Sequence, residues 1–328
     1  MSFAEIIGQP KPLAILRSAL ANGRLHHAYL FLGPEGVGKR AIALALAKAI
    51  HCAGANGDFC GQCVNCKRIG DGNHPDVRLV EPLAGRKEIA IQQIRDIEKE
   101  LNYQSFTGGR KIVIFDRATL MNLSSQNALL KTLEEPPADS LLILIAANGG
   151  ALLPTLRSRC LKVSFGPLHR PAVAQYLERN KQVKTEEAQF LAALSMGSLG
   201  LALKLNDRKL FEKRREWAAL LGSLGKGDYR SGSDAAEKLA GNKDDALKFL
   251  EWAETFYRDL LVFAAVHSGD ELINLDLLKQ TQQLAGAVTV EKWLALFEQA
   301  VGAGARIQRN LNRRMVLEDL LFNVVGAR

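Results

Sequence analysis

The residues most able to do chemistry lie in Gly33-Pro34-Glu35-Gly36-Val37-Gly38-Lys39-Arg40. An apolar run, Ala28–Leu32, precedes them, and Ala41–Ile50 follows with Ile42, Leu46 and Ala49 on one helical face. Strand, glycine-rich turn, lysine and helix together form the context of a phosphate-binding P-loop. Glycines let backbone N–H groups converge on a phosphate, and the helix start adds partial positive charge. Lys39 would reach the outer phosphates. The pattern normally closes on a Ser or Thr hydroxyl that helps to hold Mg²⁺, but Arg40 stands there. A guanidinium has no lone pair for a metal. The cradle is present and the metal ligand is missing.

A second cluster follows. Cys52, Cys60, Cys63 and Cys66 give the spacing Cys-x7-Cys-x2-Cys-x2-Cys. Four thiolates suffice for a closed tetrahedral zinc site, which would be structural and would support a module too small for its own core. An iron–sulfur cluster also takes four cysteines. The long first gap and polar surroundings (Gly57, Asp58, Gln62, Asn65) favour zinc.

The third candidate is Asp116, delivered by the buried run Lys111–Phe115. Ligands of open α/β sheets bind at the carboxyl ends of strands, so Asp116 falls where a P-loop protein places its Walker B carboxylate. Taken alone it also reads as a helix cap or a solvated acid. The next residue, where a hydrolytic Glu is usual, is Arg117.

The elements that must position these groups are legible by period. Pro12–Leu20 reads as a helix and Asp76–Val80 as a strand. Ile89–Leu101 reads as an amphipathic helix. A helix opens at Ser124 and stops at Pro136-Pro137. Leu141–Ala146 and Leu161–Phe165 complete five strands alternating with helices, which predicts a parallel sheet covered on both faces. After Gly166-Pro167 the pattern is helical throughout. Pro171–Arg179, Thr185–Leu194 and Ser198–Leu205 form a small bundle. Polar breaks follow near Gly225–Asp234 and Gly269–Asp270. Three domains are expected: residues 1–166 with a zinc module at 52–66, a helical lid at 167–207, and an all-α domain at 208–328.

Composition bounds the class. The net charge of +8 permits nucleic-acid contact without requiring it. No apolar run approaches 18 residues and the start lacks a secretory pattern, so a cytoplasmic location without membrane contact is expected. Five cysteines in such a chain point to a metal or free thiols rather than disulfides.

In order along the chain stand Glu5-Ile6-Ile7-Gly8-Gln9, His26-His27-Ala28-Tyr29, the P-loop, the four cysteines, Asn127–Pro137 and Ser158-Arg159-Cys160. Together they resemble the clamp-loader subunits of the AAA+ class, of the bacterial DNA polymerase III type. The motifs cover residues 1 to about 205, and the remainder is compatible with that family's helical collar. Two kinds of subunit share them. The gamma/tau motor hydrolyses ATP. The delta-prime kind keeps the fold and an arginine finger but has a decayed ATP site. Arg40, Arg117 and Gly200, the last where a sensor arginine is expected, place this chain with the second kind. The resemblance implies a subunit of the polymerase holoenzyme that lacks ATPase activity of its own. Its nucleotide site, at Gly33, Gly36, Gly38, Lys39, Arg40 and Asp116, would bind ATP or ADP weakly or not at all. Arg159 would act in trans on a motor subunit's ATP. The partners implied are delta and the motor subunits in a hetero-pentamer, the sliding clamp, and primed DNA through the complex. Two rival readings are an active gamma-type motor and a zinc-dependent DNA-binding protein.

Overall fold

The computed structural model describes residues 2–54, 57–269 and 271–327; Asp270 of the second polar break, and Ala55 and Asn56 between the first two cysteines, lie outside the described residues. The chain divides into two compact units. One comprises the chain up to Tyr176 together with Ser195–Leu203. The other comprises Leu177–Leu194 and the chain from Lys204 onward.

The first unit holds α1 (Pro10–Ala21), β1 (Ala28–Leu32), α2 (Lys39–His51), α3 (Val64–Gly70), β2 (Val77–Val80) and α4 (Ile91–Asn102). Then come β3 (Lys111–Phe115), α5 (Leu123–Glu134), β4 (Ser140–Ala146), α6 (Pro154–Ser158) and β5 (Leu161–Ser164). The strands lie in the order β2-β3-β4-β1-β5, and every pairing is parallel. Strand side chains alternate between two cores. Leu30, Val113, Phe115, Leu142 and Leu144 pack with Ile94, Ile97, Leu129 and Leu156 of α4–α6. Tyr29, Phe31, Ile112, Ile114 and Ile143 pack with Leu16, Ile42, Leu46 and Ile69 of α1–α3. A sheet buried on both faces explains its near-continuous apolar strands. The parallel sheet covered by helices on both faces is the one expected from the sequence.

Some boundaries differ from expectation, each for a local reason. α4 starts two residues late, because Ile89 bridges to Met121 and the Ala90 N–H donates to the Gln93 side chain. α5 starts at Leu123 because the Asn122 side chain accepts from the Ser125 N–H. Most of the first expected polar break, from Tyr229 onward, is helix. The Asp228 carboxylate caps Ser231 and starts a helix at Tyr229.

After α7 (Arg170–Lys181), α8 (Thr185–Leu194) and α9 (Leu199–Leu205), six further α-helices follow among the described residues. These are α10 (Arg208–Ser223), α11 (Tyr229–Leu239), α12 (Lys243–Val266), α13 (Leu278–Ala285), α14 (Val290–Gln308) and α15 (Arg313–Ala327). Their core joins Trp217, Phe249, Trp252, Phe256, Tyr257, Trp293, Leu317 and Leu321. The fully buried Arg214 is held by Asp276 at 3.0 Å and Asn274 at 2.7 Å, and stacks on Phe190 of α8. Burial of that charge is tolerable only because it is paired and hydrogen-bonded. Of the three consecutive basic residues Lys213-Arg214-Arg215, the middle one is therefore structural. Among the described residues no helix is long and apolar enough to cross a membrane.

Candidate functional site

The P-loop joins the carboxyl end of β1 to α2. Three glycines take positive φ, at +149° for Gly33, +74° for Gly36 and +101° for Gly38. Space as well as torsion demands two of them. A Cβ on Gly33 would lie 2.2 Å from the Phe165 carbonyl oxygen. One on Gly36 would lie 2.2 Å from Ser198 Oγ and 3.1 Å from Gly200 Cα. The Lys39 ammonium folds back on the loop, donating to the Gly33 carbonyl and, at 2.5 Å, to the Pro34 carbonyl. Burial holds its pKa below the usual lysine value, against the pull of Glu35 and Asp116.

Arg40 answers what a guanidinium does at the hydroxyl position. Its Nη1 donates to Glu81 Oε1 at 2.7 Å and to Asp116 Oδ2 at 3.2 Å. The carboxylate that would otherwise face a divalent cation already has a fixed monovalent partner. Asp116 also accepts from the Arg117 N–H at 3.0 Å, which turns the chain through a left-handed residue at φ 53°. The residues Gly36, Gly38, Lys39, Arg40 and Asp116 thus border one cleft of about 430 Å³ with Arg117, Ala146, Tyr176, Leu199 and Gly200. Sequence reasoning missed Glu81. It directly follows β2, the neighbour of β3 in the sheet, so strand order would have placed it beside Asp116.

The second missed feature is the backbone at residues 198–200. The Gly200 N–H donates to the Gly36 carbonyl at 2.9 Å, and the Ser198 hydroxyl to the Glu35 carbonyl at 2.8 Å. A Cβ on Gly200 would lie 2.9 Å from Gly36 Cα. The place expected for a sensor arginine is therefore occupied by main chain resting on the P-loop. Gly36→Ala is expected to lower stability by about 1–3 kcal/mol, the usual cost of forcing a side chain into such backbone. A melting temperature equal to the parent's would contradict that packing.

Gln9 ties this region from the other side. Its Nε2 donates to the Gly166 carbonyl at 2.6 Å and the Val37 carbonyl at 3.3 Å, and its Oε1 accepts from the Gly166 N–H at 3.3 Å. The segment before α1 therefore braces the loop.

The four cysteine sulfurs lie within 4.8 Å of one another. A tetrahedral thiolate site with Zn–S near 2.3 Å needs sulfur separations of roughly 3.8 Å, so the donor set fits a metal ion with slight closure. Amides already point at the sulfurs. Cys60 N–H donates to Cys52 Sγ at 3.3 Å, Cys63 N–H to Cys60 Sγ at 3.3 Å, and Cys66 N–H to Cys63 Sγ at 3.5 Å. The Gln62 and Cys63 amides pull the Cys60 thiol down to about 6, whereas burial pushes the Cys66 thiol up to about 12.

Arg159 lies elsewhere. It caps the end of α6 and precedes β5, whose Leu161 pairs with Tyr29 near the start of β1. It therefore sits toward the amino ends of the strands, whereas the P-loop leaves the carboxyl end of β1. Its Nη2 is 2.6 Å from Glu134 Oε1, and its Nη1 donates to the Thr155 carbonyl at 2.8 Å. Glu134 ends α5, where an anion opposes the helix dipole, so the pairing relieves Glu134 as well.

Comparison with known proteins agrees along most of the chain. Residues 8–169 match the family described as "DNA polymerase III, delta subunit", and residues 210–325 match "DNA polymerase III, delta subunit, C terminal". The chain is 33% identical over 303 residues to DNA polymerase III subunit delta' of Pseudomonas aeruginosa, covering 90% of each protein. It is 30% identical over 332 residues to subunit delta' of Bacillus subtilis, covering 96% of this chain and 95% of that one. It is also 33% identical over 258 residues to subunit tau of Escherichia coli, but spans only 38% of tau.

Proposed function

Because the chain belongs to the family of DNA polymerase III delta' subunits, we propose that it is the non-motor subunit that completes a neighbour's ATP site in the clamp loader. Arg40 carries the silent half of this reading. Its guanidinium, held by Glu81 and Asp116, stands in for the cation that a working P-loop needs. Arg117 supplies no base, and Gly200 no sensor cation. Lys39 and the glycines keep the cradle, so weak binding of ATP or ADP without turnover is the expected residue of function. The glycine geometry and the open cleft support that binding.

The chain works through its opposite end. Arg159 would face the γ-phosphate held by an adjoining gamma/tau subunit and stabilise charge developing there, as a planar guanidinium does well. To do so it must exchange Glu134 for phosphate. Both partners of that pair are partly exposed, so the exchange costs little. The α-helical region from 208 would serve as the collar that assembles the ring with delta and the motor subunits, with 167–207 as a lid over domain 1–166. Complete rings would open the sliding clamp for primed DNA. Cys52, Cys60, Cys63 and Cys66 would hold one structural Zn²⁺; when bound, it supplies cross-linking of the 52–66 segment and no step of hydrolysis.

The test is phosphate release by the isolated chain. Turnover is expected to be indistinguishable from the no-enzyme control, with and without Mg²⁺. Steady-state hydrolysis matching a gamma/tau subunit would make this chain a motor and overturn the reading.

A further inference from the structure

The cysteine centre and the P-loop are connected through the short segment that precedes α1. At one end of it, the fully buried Phe3 packs edge-on against Phe59, with ring centroids 5.4 Å apart. The Phe3 N–H donates to Asp58 Oδ1 at 3.0 Å. Phe59 and Asp58 lie between Cys52 and Cys60. Cys66 shares the same apolar cluster with Phe3, Phe59, Ala45 and Ala49, and Ile6, Leu13 and Leu20 lean on it. At the other end, Gln9 reaches the Val37 carbonyl inside the P-loop and brackets Gly166 beyond β5. Gly8 takes a φ of +65°, and a Cβ there would fall 2.4 Å from Leu168 Cδ2. The seven residues from Phe3 to Gln9 thus run from the cysteine module to the phosphate loop, docked at both ends.

We propose that this segment is a strap anchored by the metal centre, so that metal occupancy and P-loop conformation are coupled. The proposal rests on the metal reading of the four cysteines. The module has no core of its own; its apolar contacts are Phe59 and Cys66 on Phe3 and α2. With the metal gone, Asp58 and Phe59 lose their fixed position, and Phe3 loses both its ring partner and its acceptor. Gln9 is then held only by its own end, and Val37 with it. Coupling of this kind is reciprocal: tightening the strap at Gln9 also favours the metal-bound module. It gives a subunit that does not turn over ATP a reason to keep an ordered P-loop. The loop is a strut between the strap and the 198–200 backbone.

Amide hydrogen exchange on the full chain tests this, with metal content measured on the same samples. The reporting amides are Ile6, Leu13, Ile42 and Gly200, which donate to the carbonyls of Phe3, Gln9, Gly38 and Gly36. Removing the metal with a chelator is expected to speed their exchange by about tenfold or more while the β3 and β4 amides stay protected. Phe59→Ala, which alters no metal ligand, is expected to retain one metal per chain and open the same four amides. Gln9→Ala is expected to keep Ile6 protected and the metal bound, while opening Ile42 and Gly200. A chain that carries the metal but changes exchange only within 52–66 on its removal overturns the coupling alone. A chain that carries no metal overturns the metal reading and the coupling with it.

Discussion

Arg159→Ala in a reconstituted loader is expected to slow hydrolysis at the adjoining motor site by about 10³-fold or more, the range over which arginine fingers act. The substitution should leave this chain intact. Arg159 is 35% exposed and its partner Glu134 51% exposed, so their ion pair stabilises the fold by about 0–1 kcal/mol. Assembly should persist, because collar helices rather than α6 would supply the buried surface. Arg159→Lys should rescue poorly, since a point charge lacks the planar fork. Glu134→Gln is the informative companion. It removes the resting partner and leaves the guanidinium, so hydrolysis should be retained. Stimulated ATP turnover by the ring, measured with clamp and primed DNA, reads all three. An Arg159→Ala ring that loads clamps at the parent rate would leave Arg159 as the structural partner of Glu134 and nothing more.

Loss of the metal is the other large effect. Structural zinc sites in small modules contribute on the order of 10–16 kcal/mol of apparent binding free energy. Cys63→Ser removes a thiolate ligand yet keeps a side-chain acceptor at the N-cap of α3, where the cysteine sulfur accepts from the Cys66 N–H, so the effect reads the metal and not the cap. The variant is expected to lose its zinc and unfold residues 52–66, while the parallel sheet, with separate cores on both faces, keeps its circular dichroism. Elemental analysis of the parent should find one zinc per chain; iron with visible absorbance would replace zinc by a cluster. Acid should favour release. Metal ligands must be thiolates. Cys60, pulled down to about 6, is largely ionised at neutral pH, whereas Cys66, pushed up to about 12, must give up a proton to the buffer on binding. Affinity therefore falls as pH falls, and calorimetry in buffers of different ionisation enthalpy should detect the released proton.

What the sequence disclosed follows from the range of the interactions. The P-loop is local, since strand, glycines, lysine and helix are contiguous, and its reading needed no partner from elsewhere. The cysteine cluster is nearly local, with three ligands in seven residues. Sheet class followed from alternating apolar runs. What remained hidden was pairing across the fold. Glu81 lies 41 positions from Arg40. Only the strand order brings β2 beside β3 and lets one guanidinium meet two carboxylates. Gly200 was visible as a missing arginine, but its main chain lying against Gly36, 164 positions away in sequence, was not. Glu134 as the partner of Arg159 was equally out of reach. It ends a helix whose last residue is fixed by Pro136-Pro137, and nothing in that pattern says which cation faces it.

The contact between Gly36 and Gly200 bears on descent. On the proposed reading, in which this chain does not turn over ATP, that loss would be hard to reverse. Arg40→Thr alone would restore a hydroxyl but leave Glu81 and Asp116 repelling each other. Gly200→Arg alone would drive a side chain into Gly36 Cα, 2.9 Å from its Cβ position. Each first step back harms the fold before the others can reward it, which is the signature of residues coupled by direct contact. Under that reading the glycine pair would act as a ratchet, leaving the face that carries Arg159 as the part of the domain still free to change in function.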